Sequence, residues 1–239
     1  MDNVFKIKFD IEKFELDEIE KWLKEESKTS KNGFYNHWNK IIKSYSEKRM
    51  AILKNEEYVI GYTIWRIEDI HIEIDLFEIK PTFRRMRIGE YFINEIAEYF
   101  KKKGFLALKL FCTTEVSRIF WKEMEFIKFP KQKDSKSELT YFKSLININK
   151  SQTETDFDNN NKIELWDIEP YEVKNSKPKW IWSIDKKNFI PILHPYESNW
   201  NIRWTKNGKI VKENMIKHFS NKINQIAFNE FIYIEKLIE

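Results

Sequence analysis

The strongest constraint in this chain is a strand, a proline and a helix in close succession. From Ile70 to Ile79, apolar Ile72, Ile74 and Leu76 alternate with Glu73, Asp75 and Phe77, the period-two pattern of a half-buried strand. Pro81 ends it, since proline has no N–H to give to a ladder. Ile88 to Lys103 then sets Ile88, Tyr91, Phe92, Ile96 and Tyr99 on one helical stripe, closed by Lys101-Lys102-Lys103-Gly104. A strand followed at once by a helix with one apolar stripe calls for an α/β fold in which the helix covers the sheet.

The rest of the chain extends this pattern. Phe5 to Ile11 reads as a first strand, and Glu15 to Lys28 as a helix with Leu16, Ile19, Trp22 and Leu23 on one side. Gly33 breaks it, and Phe34 to Tyr45 repeats the helical spacing through Phe34, Trp38, Ile41 and Ile42. Met50–Leu53 and Tyr58–Ile67 are strands joined by Lys54-Asn55-Glu56-Glu57, with Gly61 marking a bulge or a close backbone approach. After the central helix come a strand at Leu106–Phe111, a helix at Glu115–Glu125, and strands at Phe126–Phe129 and Leu139–Leu145. The order is β-α-α-β-β-β-α-β-α-β-β. Asn147 to Lys162 contains almost nothing apolar, which sets a first domain over 1–149, a polar linker over 150–162, and an aromatic-rich, mostly β accessory domain over 163–239.

Composition excludes several classes of protein. No stretch approaches the ~20 apolar residues that span a bilayer, and the first residues, Met1-Asp2-Asn3-Val4-Phe5-Lys6, carry charge where a secretion signal has an apolar run. Cys112 is the single cysteine, so no intrachain disulfide forms, and a soluble, cytoplasmic protein is expected. The net charge of +4 leaves nucleic acid possible as a partner. With Lys, Asn, Ile and Phe abundant and only 5 glycines, drift in composition is the favoured explanation of that charge. His37, His71, His194 and His218 show no metal-ligand spacing, and no metal site is expected.

The turn before the central helix carries the chemistry. Ile79-Lys80-Pro81-Thr82-Phe83-Arg84-Arg85-Met86-Arg87-Ile88-Gly89-Glu90 resembles the fingerprint of the acetyl-CoA-dependent N-acetyltransferase (GNAT) superfamily, a strand ending near proline and then Arg/Gln-x-x-Gly-x-Gly/Ala opening a long helix. Arg84 and Gly89 match the first and last positions, and Arg87 stands where the first glycine is usual. The element order is also that of the superfamily. A second block, Thr114-Glu115-Val116-Ser117-Arg118-Ile119-Phe120-Trp121-Lys122-Glu123-Met124-Glu125-Phe126, resembles the family's Asn-x-x-Ala-x-x-Phe-Tyr-x-x-x-Gly-Phe, with Thr114, Trp121 and Glu125 replacing asparagine, tyrosine and glycine.

The resemblance implies a mixed, mainly antiparallel twisted sheet with flanking helices, and acetyl-CoA as co-substrate. It implies that the amides of Arg84, Arg85, Met86, Arg87, Ile88, Gly89 and Glu90 grip the coenzyme's diphosphate at a helix N-terminus, where orphan N–H groups and the helix dipole favour an anion. A bulge near Leu76-Phe77-Glu78 would open a slot in which Phe77, Glu78 and Ile79 supply backbone contacts to the pantetheine arm. Thr114, Ser117, Phe120 and Trp121 would complete the coenzyme site, and Phe34, Tyr35 and Trp38 fall where relatives line the acceptor pocket. Counting eleven and nine residues back from Arg84 reaches Glu73 and Asp75, the expected general bases. Trp121 matters because an indole N–H cannot reprotonate a thiolate as the usual tyrosine does.

Five of the nine tryptophans lie beyond the linker, at 166, 180, 182, 200 and 204, so they are either the core of a small domain or a stacking surface. Lys206-Asn207-Gly208-Lys209 reads as a type I′ hairpin turn, and Phe231 to Leu237 as a closing strand. The expected function is acetyl transfer to a primary amine, carried by a small molecule, peptide or protein, in a ternary complex. The second domain would select the acceptor or form a homodimer. The alternative is a coenzyme-binding module that has lost turnover and serves as an interaction or nucleic-acid-binding protein.

Overall fold

A computed structural model describes residues 5–29, 34–132, 138–152, 160–185, 188–219 and 226–236. It divides into two compact units, Met1–Ile127 with Thr140–Leu145, and Lys128–Leu139 with Ile146–Glu239. Gly33, expected to break the first helical region, lies outside the described residues.

In chain order the first unit holds β1 (Lys6–Lys8), α1 (Lys13–Thr29), α2 (Trp38–Ser46), β2 (Met50–Lys54), β3 (Val59–Ile67) and β4 (His71–Ile79). These are followed by α3 (Ile88–Lys102), β5 (Ala107–Phe111), α4 (Glu115–Glu123), β6 (Ile127–Lys128) and β7 (Thr140–Ser144). The order is the one the sequence calls for. Phe34–His37, expected to open the second helix, is instead a tight 3₁₀ turn before α2. Apolar spacing cannot separate the two, since three- and four-residue steps both place Phe34 and Trp38 inward.

The strands form one sheet in the order β1-β2-β3-β4-β5-β7-β6, mixed because β4 and β5 run parallel while the other registered pairs are antiparallel. Alternation sends successive side chains to two cores. On one face α1 and α2 cover Met50, Ile52, Tyr62, Ile64 and Leu76. On the other, α3 and α4 cover Ala51, Leu53, Trp65, Ile72, Ile74 and Leu110. Each fully buried aliphatic side chain contributes about 1.5–3 kcal/mol, so both faces are strongly specified.

β4 changes faces midway. Ile64 pairs with Leu76 but Trp65 with Ile74, so Asp75 is an extra residue, a bulge one position before the expected one. Strict alternation would keep Ile72, Ile74 and Leu76 together. The bulge instead sends Leu76 to the α1–α2 face, while Phe77 and Ile79 join Ile72 and Ile74 beneath α3. Glu78 thereby shares the α1–α2 face with Leu76. Gly61 explains itself here: a Cβ there would lie 2.7 Å from Ile79 Cδ1 and 3.0 Å from the Glu78 carbonyl oxygen. A register shift between Leu53 and Lys54 supplies the bulge as well.

The second unit contains β8 (Lys162–Trp166), β9 (Trp180–Ser183), β10 (Ile192–Pro195), β11 (Asn201–Lys206), β12 (Lys209–Met215), α5 (Ile216–Phe219), β13 (Ala227–Phe228) and β14 (Phe231–Ile234). The strands make two sheets, β12-β11-β8-β9 and β10-β14-β13, over one shared core. Trp166, Trp182, Trp200 and Trp204 are buried and Trp180 is partly so, which resolves the choice between core and stacking surface in favour of core. Asn207 and Gly208 have φ of 50° and 75°, the double left-handed conformation of a type I′ turn. The closing strand ends at Ile234, and Leu237 lies outside the described residues.

The division differs from the boundaries expected at 149 and 162. Residues 128–139 belong with the second unit, because Phe129 packs edge-on against Phe231 at 5.6 Å and Gln132 donates to the Tyr196 carbonyl. Polarity marked 150–162 as linker, yet Gln152 bridges to Ile181 and Lys162 already begins β8. Residues 153–159 lie outside the described residues.

Candidate active site

β4 and β5 pair only from His71–Ala107 to Ile74–Leu110. Beyond that point the strands part, and Phe77, Glu78 and Ile79 run along an edge of β4 that β5 no longer covers. The bulge at Asp75 and the separation of the strands therefore coincide. Of these three residues, Ile79 is already engaged: its N–H donates to Glu78 Oε1 at 3.2 Å and its carbonyl accepts from Arg84 Nε at 2.8 Å.

From this edge the chain turns through Pro81–Phe83 into the loop that opens α3. Arg84 to Arg87 are exposed, and Arg85 and Arg87 adopt φ of 64° and 58°. Arg87 is the N-cap of α3 in left-handed conformation and gives no side-chain cap, so the first-turn amides of this 15-residue helix have no capping side chain. The backbone thus keeps the form that glycine adopts most easily, at the position where the resemblance places glycine. Glu125, at the family's other missing glycine, does the same with φ 65°. Gly89 also has a packing role. A Cβ there would meet the Phe120 ring at 3.3 Å, so its missing side chain admits α4 against α3. Ile88 is buried, while Met86 is 57% exposed and Glu90 half-buried.

The second motif block divides between cap and core. Thr114 is the N-cap of α4, its Oγ1 accepting from the Ser117 N–H and donating to Ser117 Oγ at 2.7 Å. Phe120 stacks against Phe77 with centroids 6.2 Å apart. Trp121 is only 7% exposed, wedged edge-on between Phe77 and Phe126, and is therefore a core residue. Phe34, Tyr35 and Trp38 pack as half-buried rings on the α1–α2 core, with Tyr35 and Trp38 stacked.

The carboxylates of β4 are of two kinds. Glu73 accepts from Arg66 Nη2 at 2.5 Å and from Lys109 Nζ at 3.2 Å. Asp75 is held by Arg66 Nε at 3.2 Å and Lys40 Nζ at 2.7 Å. Each of the two expected bases is thus clamped by two cations. Glu78, expected to contribute only its backbone, is the exception. It is buried, and it meets one guanidinium, Arg84 Nη2 at 2.6 Å, which also serves Glu26 of α1 at 2.9 Å. Burial, outweighing Arg84 and helped by Glu26, pushes its carboxyl up to about 7. No sequence periodicity marks this group. Only the bulge, which turns Glu78 inward, makes it visible.

Other candidates are quieter. His71 is buried, and burial together with Lys109 and Arg66 pulls its imidazole down to about 4, so it is neutral. Cys112 is buried, and its thiol, raised by burial, donates to the Thr114 carbonyl. No described helix is long and apolar enough to cross a membrane.

The edge of β4 left open by its parallel neighbour is thus followed directly by a helix N-terminus without a side-chain cap. Residues 13–126 match the model of the Acetyltransferase (GNAT) family. That match lies within the first unit and leaves the second without one. No curated protein sequence matches the chain. Among solved structures it is similar to the PaiA N-acetyltransferase of Thermoplasma acidophilum in complex with coenzyme A, at 19% identity and TM-score 0.48, covering 59% of this chain and 99% of that one. It is also similar to a GNAT-family acetyltransferase of Staphylococcus aureus Mu50, at 14% identity and TM-score 0.49, over 60% and 100% of the two chains. A third is the N-acetylglutamate synthase of Neisseria gonorrhoeae complexed with coenzyme A and N-acetyl-glutamate, at 13% identity and TM-score 0.45, over 61% and 36%.

Proposed function

We propose that the chain is an N-acetyltransferase that moves the acetyl group of acetyl-CoA to a primary amine by direct attack within a ternary complex. The observation that carries this reading is the open edge at Phe77–Ile79 leading into the uncapped N-terminus of α3. In this reading the first-turn amides and Arg85 and Arg87 receive the diphosphate, and the β4 edge receives the pantetheine amides. Main-chain N–H groups of that edge, Phe77 among them, would polarise the thioester carbonyl. The amine nitrogen forms a bond to the carbonyl carbon, the C–S bond breaks, CoA leaves as thiolate, and a base takes the amine proton. Holding both substrates in register supplies much of the acceleration.

The acceptor, a small-molecule, peptide or protein amine, enters beside Phe34, Tyr35 and Trp38. The second unit is assigned acceptor selection or self-association. Base work by Glu73 or Asp75 requires displacing a cation, which a cationic acceptor does on arrival. A second reading, a coenzyme-binding module without turnover, is favoured by the burial of Trp121, which leaves no proton donor at the usual tyrosine position. Thiol release from acetyl-CoA across a panel of primary amines separates the two. Release with at least one amine supports the transferase, and tight coenzyme binding with no release from any amine supports the module.

A further inference from the structure

Glu15 and Glu78 are both buried in the first unit, and they differ in what surrounds them. Glu15 is fully buried with Lys8 on Oε2 and Lys54 on Oε1, at 2.8 and 2.9 Å. Burial raises its pKa, but the two lysines and the Glu12 N–H outweigh it and hold the carboxyl below its ordinary value. Glu15 is a satisfied structural anion. Glu78 has both its partners, the Ile79 N–H and Arg84, on a single oxygen, Oε1. No hydrogen bond among the described residues reaches Oε2.

The neighbour directly across the sheet is Tyr62, paired with Glu78 on the same face. Tyr62 is fully buried, and its hydroxyl has no hydrogen-bond partner among the described residues. A buried hydroxyl left unpartnered costs about 1–3 kcal/mol, which a polar ligand group reaching both it and the Glu78 carboxylate would recover. The other charged groups facing this spot are Arg84 from the loop and Glu26 from α1, itself hydrogen-bonded to Trp22 Nε1. The position lies on the part of β4 that β5 has left uncovered.

We infer that Glu78 is the proton acceptor of the transfer, with the Tyr62 hydroxyl holding the attacking amine, or a water that relays its proton, against Glu78 Oε2. The assignment rests on the acetyl-transfer reading above. As the N–C bond forms and the C–S bond breaks, the ammonium proton passes to Oε2 and CoA departs as thiolate. Arg84 stays on Oε1 throughout, which keeps the carboxylate oriented and leaves one oxygen free. Base function also fits a group whose proton affinity lies near neutrality.

The test is the pH profile of kcat/KM for thiol release with a reactive amine, for wild type, Glu78→Gln and Glu73→Gln, with coenzyme affinity measured for each. Wild type should rise to an inflection near 7 and then level off, because the enzyme removes the proton from the bound ammonium. Glu78→Gln should keep coenzyme affinity, lose about 10²–10⁴-fold in rate, and climb with pH as free amine accumulates. A Glu78→Gln enzyme with wild-type rate and profile overturns the assignment, as does loss of the inflection in Glu73→Gln alone. If Glu78→Gln lost the coenzyme, the wild-type profile alone decides, and no inflection near 7 overturns it. Absence of release by wild type with every amine removes the acetyl-transfer reading itself, a result distinct from an active wild type indifferent to Glu78.

Discussion

The two units bury their interiors with different chemistry. The first lays aliphatic side chains on both faces of a long sheet and admits charge along one stripe, where Glu15, Asp75 and Glu78 sit inside beside Lys8, Lys40, Lys54, Arg66 and Arg84. The second fills a single core between two small sheets with indoles, Trp182, Trp200 and Trp204 among them, and threads His194 between Trp180 and Trp182 at 4.6 and 5.3 Å. A small domain gains most per residue from large rings. A sheet with helices on both sides has area to spare and can hold costly ions where chemistry needs them. Fully paired buried carboxylates, Glu15 in the first unit and Glu164 in the second, belong with the indoles to the scaffold, and Glu78, with one oxygen unfilled, stands apart from them.

The sharpest test of this contrast sets one residue of each kind side by side. Trp182→Ala removes a fully buried ring and should cost about 3–5 kcal/mol. Trp180→Ala, on the partly buried rim, should cost well under that. Glu15→Ala removes the buried partner of two part-exposed lysines, of which Lys8 keeps Glu12, and should cost less than Trp182→Ala, by loss of charge pairing and not of volume. Urea denaturation followed by fluorescence and far-UV circular dichroism measures all three. Equal losses for the two tryptophans would erase the distinction between core and rim.

A middling effect separates the units by pH. Burial lowers His194 to about 3, with Lys179 adding to it, so the folded state keeps it neutral while an unfolded chain protonates it near 6.5. Its stability contribution is present above pH 6.5 and is lost as pH falls toward 3. Glu78 acts with the opposite sign. Raised to about 7, it favours the folded state at low pH and loses that advantage as pH climbs from 4.5 through 7. His194→Phe should flatten the acid limb of the stability curve and Glu78→Gln the neutral limb, both read from melting temperature against pH. A variant that leaves its limb unchanged removes that residue from the account.

Much of this contrast was legible in the residues. The short apolar run Met50–Leu53 and the stripe on Ile88–Lys103 placed elements of the first unit, because a strand buried on both faces and a helix buried on one leave those patterns. The Asn207-Gly208 turn was legible because few residues accept two left-handed positions in a row. The charged stripe was not legible. One extra residue at Asp75 reverses every side chain after it, so alternation counted from Ile72 put Leu76 and Phe77 on the wrong faces and hid Glu78. Lys109 and Lys40, which hold Glu73 and Asp75, come from β5 and α2, a pairing that no local window contains. Polarity likewise drew the linker too long, since exposure alone does not distinguish a tether from an edge such as Gln152.

The smallest effects concern the two left-handed positions without glycine. Arg87 and Glu125 hold φ of 58° and 65°, where a side chain costs about 1–2 kcal/mol and glycine costs nothing in the fold. Glycine gives back about 0.5–1 kcal/mol in unfolded-state entropy, so Arg87→Gly and Glu125→Gly should each stabilise the first unit by about 0.5–1 kcal/mol. They should part company in coenzyme binding. Arg87 stands at the N-cap of α3 with an exposed side chain at the proposed diphosphate end, and removing that side chain should weaken coenzyme binding by roughly two- to fivefold, the scale of an exposed ion pair. Glu125 closes α4 and should leave affinity unchanged. Calorimetric titration with coenzyme A against thermal unfolding of the same samples reads both quantities. If Arg87→Gly gained stability and kept full affinity, the guanidinium would be filling a glycine's place for no ligand, and the anion at the head of α3 would be held by main-chain amides alone.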